Sequence, residues 1–201
     1  MDFTEFVLSH LPRAPARILE VGCGDEGGVV PALADAGYDV LGVDPRAPAG
    51  PRFRQQDYRE IDGAFDAVVA GRVLHHIHPL GEGIDRIAAL APLLLVDEFA
   101  WDRIDAAAQD WYEAQYRLLA AAGAPPQAPA SIDEWREKHP DMHPHQVVLD
   151  ALRARFEETE LEWIPYLHRW LRGPSSEALE TSLVAAGAFP AIGFRWAGVR
   201  R

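Results

Sequence analysis

Short apolar runs alternate along the chain with segments in which apolar residues recur at helical spacing. The runs that are typical of buried strands lie at 18–21, 38–43, 65–70 and 93–96. After the first run, Val29, Val30, Leu33 and Ala36 recur every three or four positions and predict a helix. Strands that alternate with helices are typical of a parallel sheet covered by helices on both faces, so the pattern predicts an α/β fold.

The second half of the chain carries more helical sequence than this fold requires. Apolar spacing predicts a crossover helix at 102–122, strands at 160–167 and 192–199, and a helix that ends before Gly187. About 60 residues separate the fifth and sixth strands, and one crossover helix needs only about a third of them. We therefore predict a single domain, 1–201, with a helical lid insertion at about 124–158 that covers the strand ends and shapes a substrate pocket.

Composition and charge narrow the class of protein. The 201 residues are 48% apolar and 25% charged, as in an ordinary globular domain. There is no apolar run of 18 residues and no signal-peptide pattern, and the single Cys23 excludes an internal disulfide framework, so we expect a cytoplasmic protein. The net charge of −12, without a basic cluster, argues against nucleic acid or an anionic membrane as partner.

Four glycines follow the first apolar run and form the most informative stretch of the sequence. Gly22, Gly24, Gly27 and Gly28 lie between a predicted strand and a predicted helix, where free backbone N–H groups bind nucleotide-type ligands. Gly22 to Gly27 also spells the G-x-G-x-x-G dinucleotide fingerprint, which leaves an NAD-dependent oxidoreductase as an alternative. Three acids of this stretch would repel a pyrophosphate but would attract a ligand with an amino group and a sulfonium. They are Glu20, Asp25 and Glu26.

Two motifs carry a resemblance to a known family. Ile-Leu-Glu-Val-Gly-Cys-Gly at 18–24 resembles the first motif of class I S-adenosylmethionine-dependent methyltransferases, and F-D-x-V-x-A-x-x-V-L-H-H-I at 65–77 is similar to their fourth motif region. The resemblance covers 16–97 and 160–200. It implies a Rossmann-like three-layer sandwich with a seven-stranded, mostly parallel sheet, whose last strand runs antiparallel between strands five and six. It also implies S-adenosyl-L-methionine as cofactor and methyl transfer as activity.

Eight residues are the predicted cofactor-binding positions. In any Rossmann-like site an acid at the end of the second strand accepts from ribose hydroxyls, which assigns Asp44, although it is also typical of a solvated turn acid. A short third strand is predicted at 53–58, ending in Asp57 and Tyr58. The resemblance implies that Asp57 accepts from the adenine amine with Tyr58 against the ring; the alternative is a surface acid beside a half-buried tyrosine. It also implies that backbone at the end of the fourth strand receives the cofactor's amino group. The full set is Glu20, Gly22, Gly24, Asp44, Asp57, Tyr58, Ala70 and Gly71.

His75 and His76 follow the fourth strand at the edge where ligands bind, and they are the predicted catalytic residues. A base is needed only when the acceptor is protonated at neutral pH, as a hydroxyl or an ammonium is. The alternative for either histidine is to cap or orient the turn. Asp97 and Glu98, which follow the fifth strand, have a positional claim on the same site, and we expect at most one of them to matter.

A second group of histidines, His139, His143 and His145 with Asp141, fits no common zinc spacing and has no cysteine support, so we predict no metal site. The predicted function is S-adenosylmethionine-dependent methyl transfer to an oxygen or nitrogen of a small molecule. Alternatives are an NAD-dependent oxidoreductase and a non-methylating S-adenosylmethionine-binding protein. The acceptor and the oligomeric state stay open at this point.

Overall fold

The structure is a computed structural model that describes residues 2–126, 128–173 and 175–201. Seven strands form one sheet in the order β3-β2-β1-β4-β5-β7-β6. The strands are β1 (Arg17–Val21), β2 (Asp39–Val43), β3 (Phe53–Arg54), β4 (Ala67–Gly71), β5 (Leu93–Phe99), β6 (Phe156–Ile164) and β7 (Gly193–Arg200). This is the strand order of a Rossmann-like methyltransferase fold, which confirms the predicted fold class.

Eight helices accompany the strands in the described part of the chain. They are α1 (Phe3–His10), α2 (Val30–Asp35), α3 (Leu80–Leu90), α4 (Ala106–Ala121), α5 (Ile132–Lys138), α6 (His145–Arg155), α7 (His168–Leu171) and α8 (Ser176–Ala185). Short 3-10 turns lie at Tyr58–Glu60, Leu74–His76 and Trp101–Arg103. None of the described helices has both the length and the apolar character that crossing a membrane requires.

The register of the parallel strands brings their carboxyl ends to one edge. Val21 at the end of β1 lies beside Val43 of β2 and Ala70 of β4, and Gly71 lies beside Asp97 of β5. In contrast, the Arg200 N–H at the end of β7 donates to the Pro92 carbonyl just before β5, at 2.7 Å. β7 therefore runs antiparallel to β5, as predicted.

Buried apolar side chains hold the helices against this sheet. The side chains of Phe6 and Val7 in α1 are fully buried, and they belong to one core cluster with Ile18 of β1 and Leu33 of α2. α1 begins with a capping box, in which Asp2 and Glu5 satisfy each other's backbone N–H groups. The capped N–H groups at the start of α1 keep hydrogen-bond partners when water is excluded. The apolar face of the helix can therefore pack on the sheet without leaving these groups unpaired.

Three strands differ from their predicted bounds by three residues or more. β3 has only two residues, because Asp57 caps the 3-10 turn at Tyr58–Glu60 instead of extending the strand. β5 continues through Asp97 and Glu98 to Phe99, so both acids lie on the strand rather than after it. β6 begins at Phe156, directly where α6 ends; this ring is fully buried and fixes the start of the strand.

The described residues form two compact units. The first contains the chain up to Glu98 together with Gln146–Glu162 and Arg195–Arg201; the second contains Phe99–His145 and Trp163–Phe194. The predicted lid is thus divided, because its residues up to 145 belong to the second unit and 146–158 belong to the first. Residue 127 of the predicted lid lies outside the described residues. The lid function itself stays a prediction.

Aromatic packing and one buried acid organise the second unit. Phe99 stacks on Tyr166 with ring centroids 4.2 Å apart, and the edge of Trp170 meets it at 5.1 Å. The fully buried Glu180 of α8 accepts from three successive N–H groups at Tyr166 to His168 and from His168 Nδ1, at 2.7–2.9 Å. The carboxylate therefore satisfies the N–H groups at the start of α7, which would otherwise be buried without partners.

Candidate active site

Glu20 organises the glycine turn from within. Its side chain is buried, and Oε2 accepts from the N–H groups of Val29 at 2.9 Å and Val30 at 3.1 Å, at the start of α2. Burial raises the pKa of the Glu20 carboxyl to about 7, against the opposing effect of these two hydrogen bonds. Gly28 has φ +55°, and a Cβ built there would lie 2.0 Å from Glu20 Oε1, so this close approach requires glycine.

Gly24 differs from its neighbours, because a Cβ built on it would meet nothing within 4 Å. The turn therefore opens onto space here, where a ligand can come close to the backbone. Acidic groups lie close to the opening: burial, together with the carboxylates of Glu20 and Asp44, raises the pKa of the Cys23 thiol to about 12. An open, acid-lined turn fits a cationic nucleoside, as S-adenosylmethionine is, better than a pyrophosphate.

Asp44 lies directly after β2, at the predicted ribose position. Its Oδ1 accepts from the Arg46 N–H at 2.8 Å, in a tight turn that holds the side chain, which is 12% exposed. The Asp44 N–H donates to the backbone carbonyl of Arg54, on the neighbouring strand, at 3.2 Å. The acid is thus a fixed acceptor at the carboxyl edge, and its ribose role stays a prediction.

Asp57 and Tyr58 lie in the turn that follows β3. Asp57 accepts from the Arg59 backbone N–H at 2.9 Å and from Arg59 Nη1 at 3.0 Å. Tyr58 is buried, its ring lies under the Arg59 guanidinium at 5.1 Å, and its Oη has no hydrogen-bond partner among the described residues. Burial raises the Tyr58 pKa. An adenine would share Asp57 with Arg59, so the predicted adenine contacts stay predictions.

Ala70 and Gly71 end β4 beside β1 and β5. Ala70 is fully buried, and Gly71 is partly exposed at the sheet edge. The ring of Phe3 lies 3.3 Å from the position that a Cβ on Gly71 would take, so α1 reaches this edge. Their backbone is thus placed at the carboxyl end of the strands, where the predicted amino-group contact would form.

His75 and His76 have different environments in the 3-10 turn after β4. His75 is buried, and its Nδ1 lies 2.5 Å from Oε1 of the fully buried Glu98. The other oxygen of Glu98 accepts from the Leu74 N–H at 2.8 Å and the His75 N–H at 3.3 Å. His76 is exposed, with its ring 4.1 Å from that of His75. The structure therefore separates a carboxylate-bound histidine from a solvent-facing one.

Glu98 contacts His75 in this turn but is absent from the predicted set of catalytic and cofactor-binding residues. The position of Glu98 at the end of β5 was the available signal, and the pairing with His75 shows which of the two acids reaches the turn. Asp97 is buried as well, with Oδ2 4.0 Å from Arg195 Nε. Both acids are therefore engaged inside the protein, because β5 is covered on both faces.

The histidines at 139–145 point to separate partners. His139 Nδ1 lies 2.8 Å from the Trp135 carbonyl, and His145 Nδ1 lies 2.7 Å from Asp102. Among the described residues, no three His, Cys, Asp or Glu side chains are grouped so that they could hold a metal ion. The absence of a metal site stays a prediction.

Comparison with known proteins gives the family. The family model described as "Methyltransferase domain" matches residues 1–166. No curated protein matches the sequence closely enough to count as a relative.

Solved structures share the fold over almost the whole chain. A methyltransferase from Mesorhizobium loti, described as S-adenosylmethionine dependent, is 19% identical, with a TM-score of 0.57 and coverage of 98% of this chain and 96% of its own. Magnesium protoporphyrin IX methyltransferase from Synechocystis PCC 6803, with bound SAH, is 18% identical, with a TM-score of 0.56 and coverage of 98% and 80%. The (4+2)-cyclase SpnF is also similar, at 18% identity, a TM-score of 0.55 and coverage of 98% and 79%. With the family match and the acid-lined glycine turn, the chain belongs to the methyltransferase-domain family and is an S-adenosylmethionine-dependent enzyme of that family.

Proposed function

We propose that the protein transfers a methyl group from S-adenosylmethionine to an oxygen or nitrogen of a small molecule. The observation that carries the proposal is the buried His75–Glu98 pair at the carboxyl edge of β4 and β5. A base that is oriented by a carboxylate is useful when the acceptor must lose a proton, as a hydroxyl or an ammonium does. The net charge of −12 supports a small acceptor rather than a polyanion.

The cofactor supplies an electrophilic methyl group on a positively charged sulfur. Around it, the residues of the glycine turn have the task of binding and orientation: Gly24 leaves the space, and Asp44 offers acceptors to the ribose. Holding nucleophile and methyl group in line can supply roughly 7–11 kcal/mol of the barrier, so positioning is the main contribution of the protein.

His75 has the chemical role in this proposal. With Nδ1 donating to Glu98, the ring adopts the tautomer in which Nε2 can accept a proton. A bound cofactor would supply the methyl group and would leave as S-adenosylhomocysteine, keeping the electron pair of the broken carbon–sulfur bond. Nε2 of His75 would take the proton that the acceptor oxygen or nitrogen loses as it is methylated, and would later release it to solvent. Glu98 is a positioning residue, because it acts on the acceptor only through His75.

Substitution of the two histidines tests this assignment. We expect His75→Ala to lower kcat by about 10²–10⁴-fold, the usual contribution of a general base, and His76→Ala to lower it by less than tenfold. Methyl transfer is followed as S-adenosylhomocysteine formed with a panel of phenols, alcohols and amines. A loss of less than tenfold in both variants would remove the histidines from the mechanism.

A non-methylating use of the cofactor is the second candidate, and the fold shared with a (4+2)-cyclase favours keeping it. In that case the wild-type protein would bind S-adenosylhomocysteine in calorimetric titrations but would methylate no member of the acceptor panel. Product formation without loss of the methyl group from the cofactor would then identify a rearrangement. Methyl transfer to any member of the acceptor panel, catalysed by the wild-type protein over repeated turnovers, favours the proposal of a methyltransferase.

A further inference from the structure

Arg72 has an unusual backbone conformation beside the glycine turn. It is the first residue after β4, and its φ is +58°, a left-handed value that non-glycine residues rarely adopt. Its N–H donates to the Asp97 carbonyl at 2.6 Å, which fixes it between the ends of β4 and β5. Left-handed non-glycine residues cost energy that the surrounding structure must supply, and they are concentrated at functional sites.

The segment that contains Arg72 packs directly on the glycine turn. A Cβ built on Gly22 would lie 2.8 Å from the Cβ of Val73, so there is no space between the two backbones. The side chain of Arg72 is exposed, and within the described residues its guanidinium makes no hydrogen bond or ion pair. Its positive charge nevertheless reaches the turn, since it lowers the pKa of the Glu20 carboxyl against the larger effect of burial.

Other arginines beside the predicted cofactor positions are already engaged. Arg59 donates to Asp57 and, through Nη2, to the His78 carbonyl at 3.0 Å. Arg46 Nε lies 3.8 Å from Asp44. Arg72 therefore offers its guanidinium to a ligand, while these two are paired with acids of the protein.

The charges of the cofactor are complementary to this arrangement. S-adenosylmethionine carries a sulfonium, an ammonium and a carboxylate, and the acid-lined turn suits the two cations but repels the carboxylate. A guanidinium binds a carboxylate with two parallel charge-assisted hydrogen bonds. We infer that Arg72 binds the carboxylate of the cofactor's methionyl group and so fixes the direction of the sulfonium. The inference rests on the cofactor of the family, not on the choice of acceptor.

A matched pair of ligands isolates this contact. S-adenosylhomocysteine and 5′-deoxy-5′-(3-aminopropylthio)adenosine differ only in the carboxylate, and both are titrated calorimetrically into wild type and Arg72→Asn. Asparagine tolerates a positive φ and removes the charge. We expect the variant to bind S-adenosylhomocysteine about 10–100-fold more weakly, as for the loss of hydrogen bonds to a charged group, and to bind the decarboxylated ligand within about twofold of wild type.

Two further variants serve as controls. Arg72→Lys keeps the positive charge but not the planar pair of N–H donors of the guanidinium. Its loss of affinity for S-adenosylhomocysteine is expected to be smaller than that of Arg72→Asn. Arg13→Gln removes an exposed arginine that precedes β1, at the opposite edge of the sheet, and should leave both affinities unchanged. Equal losses for the two ligands in Arg72→Asn, or no loss for either, would overturn the inference. If the wild type bound neither ligand, the cofactor assignment would fail, and the role of Arg72 with it.

Discussion

The Glu98→Gln substitution exchanges the carboxylate for an amide. It separates two effects of Glu98, namely its orientation of the His75 ring and its contribution to the stability of the fold. In Glu98→Gln the amide oxygen can still accept from the N–H groups of Leu74 and His75, now held at 2.8 and 3.3 Å. The amide NH₂ faces His75 Nδ1, which must then become an acceptor, so the ring proton moves to Nε2. The nitrogen that should take the acceptor's proton is thereby already protonated.

The expected magnitudes differ for catalysis and for folding. Loss of a general base costs about 10²–10⁴-fold in kcat, or roughly 3–5 kcal/mol at 1.36 kcal/mol per decade. The free energy of unfolding should fall by only about 1–3 kcal/mol, since the three hydrogen bonds to Glu98 are kept and only change from charge-assisted to neutral. Glu98→Ala instead leaves three buried donors without a partner, and a loss of about 3–5 kcal/mol is expected.

The assay is kcat against pH, with the acceptor that the panel identifies, alongside denaturant unfolding of the same samples. The residual activity of Glu98→Gln should rise with pH only as the acceptor itself ionises, because His75 no longer takes the acceptor's proton, and its pH profile should therefore differ in shape from that of wild type. Full kcat in a folded Glu98→Gln would refute the role of His75 as a base that Glu98 orients. If Glu98 only stabilised the fold, Glu98→Gln would lower the free energy of unfolding without changing the shape of the profile of kcat against pH.

Two further predictions concern the glycine turn. The Glu20 carboxyl has an ordinary pKa of 4.5 and a folded pKa of about 7, so the folded protein keeps a proton that the unfolded chain loses, and this contribution to stability falls by about 3 kcal/mol as the pH rises from 4.5 to 7. Glu20→Gln should remove that fall in urea unfolding, and a pH dependence equal to wild type would contradict it. Gly28→Ala should cost about 3 kcal/mol or more, because its Cβ would displace the Glu20 carboxylate and φ is +55°. Gly81→Ala in α3, where a Cβ meets nothing within 4 Å, is the matched control and should stabilise slightly.

Tertiary structure decided how the acids of the site are used. Glu20 was predicted to bind the cofactor, and the fold places its Oε2 on the first N–H groups of α2; its contact with the cofactor stays a prediction. Asp57 was predicted to end a strand, and it caps a turn and pairs with Arg59. In both cases a local hydrogen-bond donor competes for the carboxylate, and its position depends on the packing of the next element.

The sequence by itself determined the α/β class and the strand–glycine–helix site, because periodicity and turn chemistry act over a few neighbouring residues. The place of the last strand, antiparallel between the fifth and sixth, was implied by the resemblance to the family. It could not determine that Glu98 rather than Asp97 reaches His75, which lies 23 residues earlier in the chain. Adjacent strand residues point to opposite faces, so that choice depends on the register of β5 against β4. Register and the left-handed turn at Arg72 are set by contacts that exist only once the sheet is assembled.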